Sequence, residues 1–219
     1  MTKRVGHRGA HAVVRGNTLG SFEAALDVGV DMIEFDVCAV RGRLGIGHNA
    51  LEGRLLGCLP LDAGLAHLAT PRFDGIELNV DLKHAGCERG ALEALERHDL
   101  LARSLISSRL PAVLDRVRAL EPAARTGLSV GGWLARRLTG MRDWRQIVAD
   151  ALVAGRFQAL MAHHRLVDRD LVERVKDAGA ELYAWTVDES TLIDRLTGLE
   201  VTGITTNDPR LFAARAVSG

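Results

Sequence analysis

The sequence predicts an α/β protein that folds as a single-domain TIM (β/α)8 barrel, with residues 1–219 forming the one domain. Three observations support this prediction. Short runs rich in β-branched residues alternate with amphipathic helical runs from one end of the chain to the other. The runs make about eight strand–helix units, and a length of 219 residues suits a small barrel of this kind.

An open, doubly wound parallel sheet is the alternative that the alternation by itself leaves open. Such sheets commonly bind nucleotides with a glycine-rich loop after the first strand. Neither a GxGxxG sequence nor a Walker sequence follows the first predicted strand of this chain. The barrel is therefore the favoured architecture.

Each predicted strand is a short apolar run, and each predicted helix carries apolar residues at helical spacing. The predicted strands are residues 3–6, 32–40, 75–82, 104–107, 125–130, 157–162, 181–187 and 201–205, with a short extended return at 43–47. The predicted helices are residues 17–28, 61–69, 91–98, 110–120, 143–154, 168–178, 190–196 and 209–216. Residues 127–140 are the least regular part and predict a long loop between barrel units.

The charge balance and the aromatic content argue for a small-molecule partner. Lys and Arg together number 28, as do Asp and Glu, so no net positive charge attracts nucleic acid or an anionic membrane surface. Aromatic residues make up only 4% of the chain, which is too few for a base-stacking surface. Hydrophobic residues reach 47%, enough for a full core.

The cysteines and the N-terminus indicate the compartment. Cys38, Cys58 and Cys87 are odd in number and lack CxxC spacing, which argues against a disulfide framework and against a zinc site. The first ten residues lack the apolar core of a signal peptide, and no apolar run approaches transmembrane length. A cytoplasmic location is the expectation. The sequence leaves the oligomeric state open.

One predicted strand, residues 32–40, carries two carboxylates within an apolar run. Glu34 and Asp36 are two residues apart, so they point to the same face of the strand, while Phe35 lies on the other face. They could mark the wet side of an edge strand. Strands flanked on both sides by helices are buried, however, and two buried like charges repel unless a cation lies between them.

Further polar residues collect where the predicted strands end, which is where catalytic groups gather in a barrel. These are His7, Arg8, His48, Asp81, Lys83 and Trp185. Taken alone, a histidine is more often a hydrogen-bonded structural residue, and that interpretation is kept for His11, His67, His84, His98, His163 and His164, although His84 is close in sequence to the expected site.

Together these residue types indicate phosphoester cleavage. Glu34, Asp36 and Asp81 form an all-oxygen ligand set, which suits Mg²⁺ or Ca²⁺. Two histidines without neighbouring thiolates suit general acid and base catalysis near neutral pH. Arginine and lysine side chains at the same end of the barrel add fixed positive charge where a phosphate could bind.

Six segments of the chain form a recognisable series: GHRGA at 6–10, NT with SFEAALDVGVDMIEFDV at 17–37, GHN at 47–49, LNVDLK at 78–83, AWTVD at 184–188 and GITTNDP at 203–209. In order and spacing this series resembles the glycerophosphodiester phosphodiesterase family, a phosphatidylinositol-phosphodiesterase-like TIM barrel. The resemblance runs from residue 5 to about residue 211. It implies metal-dependent hydrolysis of a glycerophosphodiester to an alcohol and glycerol 3-phosphate, an activity of lipid metabolism.

The resemblance also assigns roles to the site residues. It makes Glu34, Asp36 and Asp81 the metal ligands, although the third ligand of the family is usually a Glu. It makes His7 and His48 the acid/base pair, without telling which is which, and it implies that Arg8 and Lys83 contact the phosphate, with Trp185 also on the substrate side. In the mechanism proposed for the family, the neighbouring glycerol hydroxyl attacks phosphorus, and water then opens a cyclic phosphate.

The chain departs from the family pattern in three places. Gly16 stands where the family usually has a Glu before the Asn-Thr pair, so a carboxylate is missing from the rim of the expected metal site. Asn49 stands where the family usually has an Asp, which keeps a hydrogen-bonding group but loses its charge. The segment between His48 and Asp81 is short, which predicts a reduced insertion after the second strand, a more open pocket and room for a bulkier substrate.

Two other functions stay open at this point. The triplet Asp81 to Lys83 also resembles sphingomyelinase D and phospholipase D toxins of similar barrel type, so a lysophospholipase D acting on a lysophospholipid is one alternative. The other is a catalytically weakened barrel that still binds phosphate or metal, because Gly16 and Asn49 both lack the family's carboxylates.

Overall fold

Eight parallel strands close into a barrel in the computed structural model, which describes residues 1–40, 42–48, 57–131 and 144–213. In chain order the strands are β1 Lys3–His7, β2 Met32–Val40, β3 Arg43–Ile46, β4 Leu59–Pro60, β5 Glu77–Leu82, β6 Ser104–Ser108, β7 Arg125–Val130, β8 Ala159–His163, β9 Glu181–Trp185 and β10 Gly203–Thr206. The parallel pairs run β1, β2, β5 and onward through β10, and β10 returns to β1. The predicted TIM (β/α)8 barrel is confirmed.

Eight α-helices in the described ranges connect the strands. They are α1 Leu19–Val28, α2 Leu61–Leu68, α3 Glu88–Arg97, α4 Pro111–Leu120, α5 Trp144–Val153, α6 Arg169–Asp177, α7 Ser190–Gly198 and α8 Arg210–Ala213. None of them combines the length and the apolar character that crossing a membrane requires. Most of the loop predicted at 127–140 lies outside the described residues, as does the end of the helix predicted at 209–216.

Two differences from the predicted elements have physical reasons. Helix α3 begins at Glu88, three residues before the predicted start, because the carboxylate of Glu88 accepts a 2.7 Å hydrogen bond from the backbone N–H of Gly86 and secures the first turn. Strand β4 was not predicted, since its two residues have no pattern of their own. It exists through its antiparallel pairing with β3, in which Leu59 faces Ile46.

The inner surface of the barrel is built in layers, because alternate residues of each strand point inward. The lowest layer is a ring of charges from the first residues of four alternate strands, Lys3, Glu77, Arg125 and Glu181. Arg125 lies 3.1 Å from Glu77 and 2.7 Å from Glu181, and Lys3 pairs with both acids. These ion pairs close the N-terminal end of the barrel.

Above the charged ring lies an apolar core that fills the barrel over more than one layer. It is a separate cluster of buried side chains, namely Val5, Met32, Leu105, Ala159, Met161 and Tyr183. Gly203 pairs with Tyr183 of this cluster, and a Cβ atom at position 203 would lie 2.5 Å from the Tyr183 ring. The absence of a side chain at Gly203 therefore leaves room for that ring. The barrel is therefore solid up to the level at which polar residues begin.

The outer faces of the strands pack against the helices in two apolar clusters. Ile33, Phe35 and Val37 of β2 lie in the first cluster, on the face opposite Glu34 and Asp36. The alternation read from the sequence thus places the two carboxylates on the inner face of a buried barrel strand. The interpretation of β2 as a wet edge strand is wrong, because β2 pairs with both β1 and β5.

Candidate active site

Three buried carboxylates meet at the C-terminal end of the barrel. Glu34, Asp36 and Asp81 offer ligand oxygens that all lie within 4.8 Å of one another. Asp36 and Asp81 are direct neighbours in the β2–β5 register, which brings them side by side. Their exposed fractions are 5%, 0% and 9%, so little water separates them. An all-oxygen set of this kind could hold a hard divalent cation.

The carboxylates of this cluster have opposite ionisation tendencies. Burial, with repulsion from Asp36, raises the pKa of Glu34 to about 8. Burial also opposes ionisation of Asp36, but the charges of Lys83 and Arg8 outweigh it and lower the pKa of Asp36 to about 2. The cluster therefore holds more negative charge than its own cations balance, and one carboxyl keeps a proton near neutral pH. A bound cation would remove the need for that proton.

Two basic side chains contact the acid cluster. The Arg8 Nε lies 2.9 Å from Asp36 Oδ2, and the Lys83 ammonium pairs with both Asp36 and Asp81. Arg8 has a φ of 52°, and its backbone N–H donates a 2.8 Å hydrogen bond to Glu34 Oε2, which fixes this unusual turn after β1. The predicted phosphate-contacting residues thus lie at the carboxylates.

Asn17 is a residue of this site whose role the sequence did not indicate. Its side chain binds Asp36 twice, donating from Nδ2 to Oδ2 at 2.9 Å and accepting the Asp36 backbone N–H at 3.2 Å. Asn17 has a φ of 59°, a conformation that asparagine tolerates better than most residues. Thr18 then caps α1 in a capping box with Ser21, so the start of this helix fixes the support of Asp36.

His7 is held in one tautomer by a chain of hydrogen bonds. Asp188 only accepts, and Asn207 donates to it from Nδ2 at 2.6 Å, which turns the Asn207 Oδ1 toward His7. That oxygen lies 2.6 Å from His7 Nδ1, so Nδ1 carries the proton. The other ring nitrogen, Nε2, lies 3.8 Å from Glu34 Oε2 at the acid cluster. Burial lowers the pKa of His7 to about 4, which keeps its ring neutral.

A cavity of about 210 Å³ lies over the cluster and brings together seven of the eight predicted site residues. These are His7, Arg8, Glu34, His48, Asp81, Lys83 and Trp185, whereas Asp36 lies fully buried beside them. The short β3 return carries His48 back to the barrel mouth, and the Gly47 N–H bonds to the Asp36 carbonyl at 3.0 Å.

Other lining residues were missed in the sequence. They are Asn79, Ser107, Arg109, Ser129, Met161 and Thr205, whereas Thr186, which also lines the cavity, was noted beside Trp185 at a strand end. Ser107 donates a 3.0 Å hydrogen bond to Asp81 Oδ1 and thereby orients one member of the acid cluster. Several of these residues lie two positions from an inward-facing residue of the same strand. Because side chains alternate between the two faces of a strand, this spacing predicts that they also point into the barrel.

Trp185 forms part of the cavity wall in a fixed orientation. Its indole Nε1 donates a 2.9 Å hydrogen bond to the Met161 carbonyl, and the His163 ring meets it edge-on at 5.3 Å. The Arg109 guanidinium carbon lies 5.3 Å from the centre of the Trp185 ring. Trp185 is therefore a rigid surface rather than a hydrogen-bond donor for a ligand.

Gly16 lies in a crowded position against His11 and Arg8. A Cβ atom there would come within 2.7 Å of His11 Nδ1 and 2.8 Å of the Arg8 Cβ. The Gly16 N–H donates to His11 Nδ1 at 3.1 Å. His11 thus occupies space that a side chain at position 16 would need. Asn49, the second departure noted in the sequence, lies outside the described residues.

The chain matches the model of the glycerophosphoryl diester phosphodiesterase family over residues 7–41 and 78–211, which is more than half of its length. The chain belongs to this family. A glycerophosphodiester phosphodiesterase from Caldanaerobacter subterraneus subsp. tengcongensis is 27% identical over 240 residues, which cover 94% of this chain and 93% of that protein. The family predicted from the six sequence segments is confirmed.

Solved structures show the same fold. The structure of a glycerophosphodiester phosphodiesterase from Thermotoga maritima aligns with this chain with a TM-score of 0.75 at 19% identity, and the alignment covers 98% of each chain. An Oleispira antarctica phosphodiesterase in complex with sn-glycerol-3-phosphate has a TM-score of 0.75 at 20% identity, covering 99% of this chain and 97% of that one.

Residues 42–77 of this glycerophosphoryl diester phosphodiesterase family member lie outside the two matched ranges. This is the segment in which the sequence predicted a reduced insertion. His48 belongs to it, so the family match does not align this histidine. Its presence beside His7 and the acid cluster follows from the cavity that they share.

Proposed function

We propose that this protein hydrolyses a glycerophosphodiester to an alcohol and glycerol 3-phosphate at the cavity over Glu34, Asp36 and Asp81. One observation carries the proposal. A neutral histidine with a free Nε2, two basic side chains and three buried carboxylates meet at a single cavity. Phosphodiester cleavage needs this combination, because a proton must leave the nucleophile, another must reach the leaving group, and charge must be neutralised at phosphorus.

The carboxylates of Glu34, Asp36 and Asp81 would hold a divalent cation, Ca²⁺ or Mg²⁺. The raised pKa of Glu34 supports this fit, because burial among like charges leaves the cluster short of positive charge. When bound, such an ion polarises the phosphate oxygens and favours ionisation of a hydroxyl group. Arg8 and Lys83 would bind the phosphate oxygens from the same side of the cavity.

His7 is the group that would accept the first proton. Its Nδ1–H is bound to Asn207 and its ring is neutral, so Nε2 has a free lone pair at the acid cluster. The neighbouring glycerol hydroxyl would lose its proton to this nitrogen as its oxygen attacks phosphorus. His48 would protonate the departing alkoxide. Water would then open the cyclic phosphate, with the two histidines exchanging roles and returning to their first protonation states.

The family match favours this reaction over that of a lysophospholipase D. The substrate would be a small molecule, and we place the reaction in the metabolism of lipid head groups in the cytoplasm. We also propose that residues 1–219 act as one domain, as the closed barrel supports. No nucleic-acid partner is proposed, since the chain has equal numbers of basic and acidic residues.

The test is the release of glycerol 3-phosphate from a panel of glycerophosphodiesters with Ca²⁺, with Mg²⁺ and with EDTA. We expect release that depends on the ion, and we expect His7→Ala and His48→Ala each to lower the rate about a hundredfold or more. Release from none of the diesters would reject the enzyme and favour the weakened barrel. Near-normal rates in either histidine variant would reject the assignment of that histidine.

A further inference from the structure

Arg109 provides a positive charge at the cavity that the proposed reaction does not use. It follows β6 directly and lies two positions after Ser107, whose side chain points inward to Asp81. The alternation of the strand therefore directs Arg109 toward the barrel mouth. Arg109 and Trp185 both line the cavity, with the guanidinium 5.3 Å from the ring centre.

The guanidinium of Arg109 differs from the other cations of the cavity in having no carboxylate partner among the described residues. Arg8 and Lys83 are both bound to the acid cluster. Arginine presents a fork of N–H donors that matches a carboxylate or a phosphate, and it stacks readily on an aromatic face. Arg109 thus lies at the Trp185 ring and, among the described residues, has no carboxylate at its donors.

The surroundings of Arg109 do not suit a quaternary ammonium group. Such a group binds to the open faces of aromatic rings, and a guanidinium already lies over Trp185. The acidic lining residues within the described ranges, Glu34 and Asp81, belong to the proposed ion site. A positively charged head group would therefore meet repulsion on this side of the cavity.

Two buried polar atoms belong to residues that line the same cavity. Asn79 and Thr205 are 3% and 2% exposed, and their Oδ1 and Oγ1 atoms lack a hydrogen-bond partner within the described structure. Both residues line the cavity. Buried polar groups are normally paired, so these atoms indicate a place for a hydroxylated or otherwise polar ligand. They add hydrogen-bonding capacity without adding charge.

We propose that Arg109 selects diesters whose alcohol carries an anionic group, a carboxylate or a second phosphate, and that choline diesters are poor substrates. This inference rests on the proposed function, since it concerns the alcohol part of the same substrate. The anionic group pairs with the Arg109 guanidinium, while the reacting phosphate lies over the acid cluster. Arg109 is a specificity-determining residue of the site.

Glycerophosphoserine and glycerophosphoethanolamine provide a matched test, because they differ by one carboxylate. The measurement is kcat/KM for both diesters with Ca²⁺, in the wild type, in Arg109→Gln and in Arg89→Gln, a matched change on the outer surface of α3. We expect the wild type to favour the serine diester about tenfold, as a charge-assisted hydrogen bond allows. Arg109→Gln should bring the ratio of the two values close to one, and Arg89→Gln should keep it.

A binding measurement separates this inference from the proposed reaction. Calorimetry on the His7→Ala variant with Ca²⁺, with and without Arg109→Gln, gives the affinity for each diester without its consumption. Discrimination that depends on Arg109 supports the inference even if no diester is hydrolysed. Hydrolysis of both diesters with equal kcat/KM, or a ratio that Arg109→Gln leaves unchanged, would overturn it while the proposed function stands.

Discussion

Glu34 is the residue at which the requirements of folding and of the proposed function oppose each other most clearly. It lies inside the barrel on β2, 5% exposed, with Asp36 on the same face. An apolar or amide side chain would be less costly to bury at this position than a carboxylate, because burying the ionised form removes it from water. We interpret this cost as the reason why the cluster would bind a cation. The cost also affects the free energy of unfolding, which can be measured without any substrate.

The pKa of Glu34 makes the stability of the ion-free protein depend on pH. It rises from 4.5 in the unfolded chain to about 8 in the folded one. Between these values the unfolded chain loses a proton that the folded chain keeps, so this group lowers the free energy of unfolding as the pH rises. The slope is at most about 1.4 kcal/mol per pH unit. Glu34→Gln should remove this slope.

The measurement is urea unfolding in EDTA between pH 5 and pH 8, roughly the range over which the carboxyl ionises. The control is Glu173→Gln, a change on the exposed surface of α6. Equal pH dependence in the wild type and in Glu34→Gln would show that Glu34 does not carry the proton. Ca²⁺ should stabilise the wild type but not Glu34→Gln.

Asn207 is a positioning residue for His7, since it accepts the Nδ1–H bond that leaves Nε2 free. Asn207→Ala should lower kcat about tenfold or more and change KM little, because the imidazole loses its fixed tautomer and orientation. Ca²⁺ affinity should stay as in the wild type. Steady-state kinetics and calorimetry check this, and a variant with unchanged kcat would exclude the positioning role.

The direction of side chains within one strand could be predicted from the sequence better than contacts between strands that are distant in sequence. The i, i+2 spacing of Glu34 and Asp36 places them on one face whatever the rest of the chain does. The bond between His7 and Asn207 joins residues 200 positions apart, and it requires β1 and β10 to be neighbours. The closure of the barrel is what makes the first strand and the last strand neighbours.

At the scale of elements, the segment that leads from β1 into α1 supports the acid cluster. Arg8 and Asn17 both have positive φ values and both reach Asp36, while Thr18 begins the helix. Gly16, which stands where the resemblance led us to expect a Glu, lies in a place without room for a side chain. The segment thus accommodates His11, which accepts a hydrogen bond from the Gly16 N–H and so has the structural role that the sequence predicted for it.

Gly16→Ala tests this adaptation. The added Cβ would meet the Arg8 Cβ at 2.8 Å, and that atom cannot move without its backbone. We expect a loss of about 1–3 kcal/mol in the free energy of unfolding, as in other overpacked positions. Gly20→Ala is the matched control, because its nearest neighbour lies at 3.4 Å and alanine favours the helix.

Urea unfolding of the two glycine variants should give changes of opposite sign. Double substitution with His11→Ala should recover part of the loss in Gly16→Ala, which a double-mutant cycle detects. If Gly16→Ala is as stable as the wild type, the crowding at this position does not limit the side chain there.

At the scale of the whole molecule, the barrel separates stability from chemistry along its axis. The charged ring at the N-terminal end and the apolar core above it close the barrel, and the polar side chains gather at the other end. Had the inward positions been counted along every predicted strand, Asn79, Ser107 and Thr205 would have joined the predicted site. Which strands close the ring, and hence which side chains meet across it, required the structure.

The charged ring should matter for stability and not for the ion site. Glu77→Ala leaves Lys3 and Arg125 with Glu181 as their remaining acidic partner in the ring. The pairs are half-buried, so we expect a loss of about 1–3 kcal/mol in the free energy of unfolding. Ca²⁺ affinity should stay unchanged, since Asp81, the carboxylate of the acid cluster on the same strand as Glu77, lies toward the other end of β5. A parallel fall in Ca²⁺ affinity would show that the two ends of the barrel are coupled.

We propose above all that the carboxylates of Glu34, Asp36 and Asp81 hold the ion on which diester hydrolysis depends. Calorimetric titration of Ca²⁺ into the wild type and into Asp36→Ala, with release of glycerol 3-phosphate measured on the same samples, tests it most directly. We expect one bound ion in the wild type, and loss of both binding and turnover in a folded Asp36→Ala variant. Unchanged Ca²⁺ binding in that variant, or full turnover in EDTA, would contradict it.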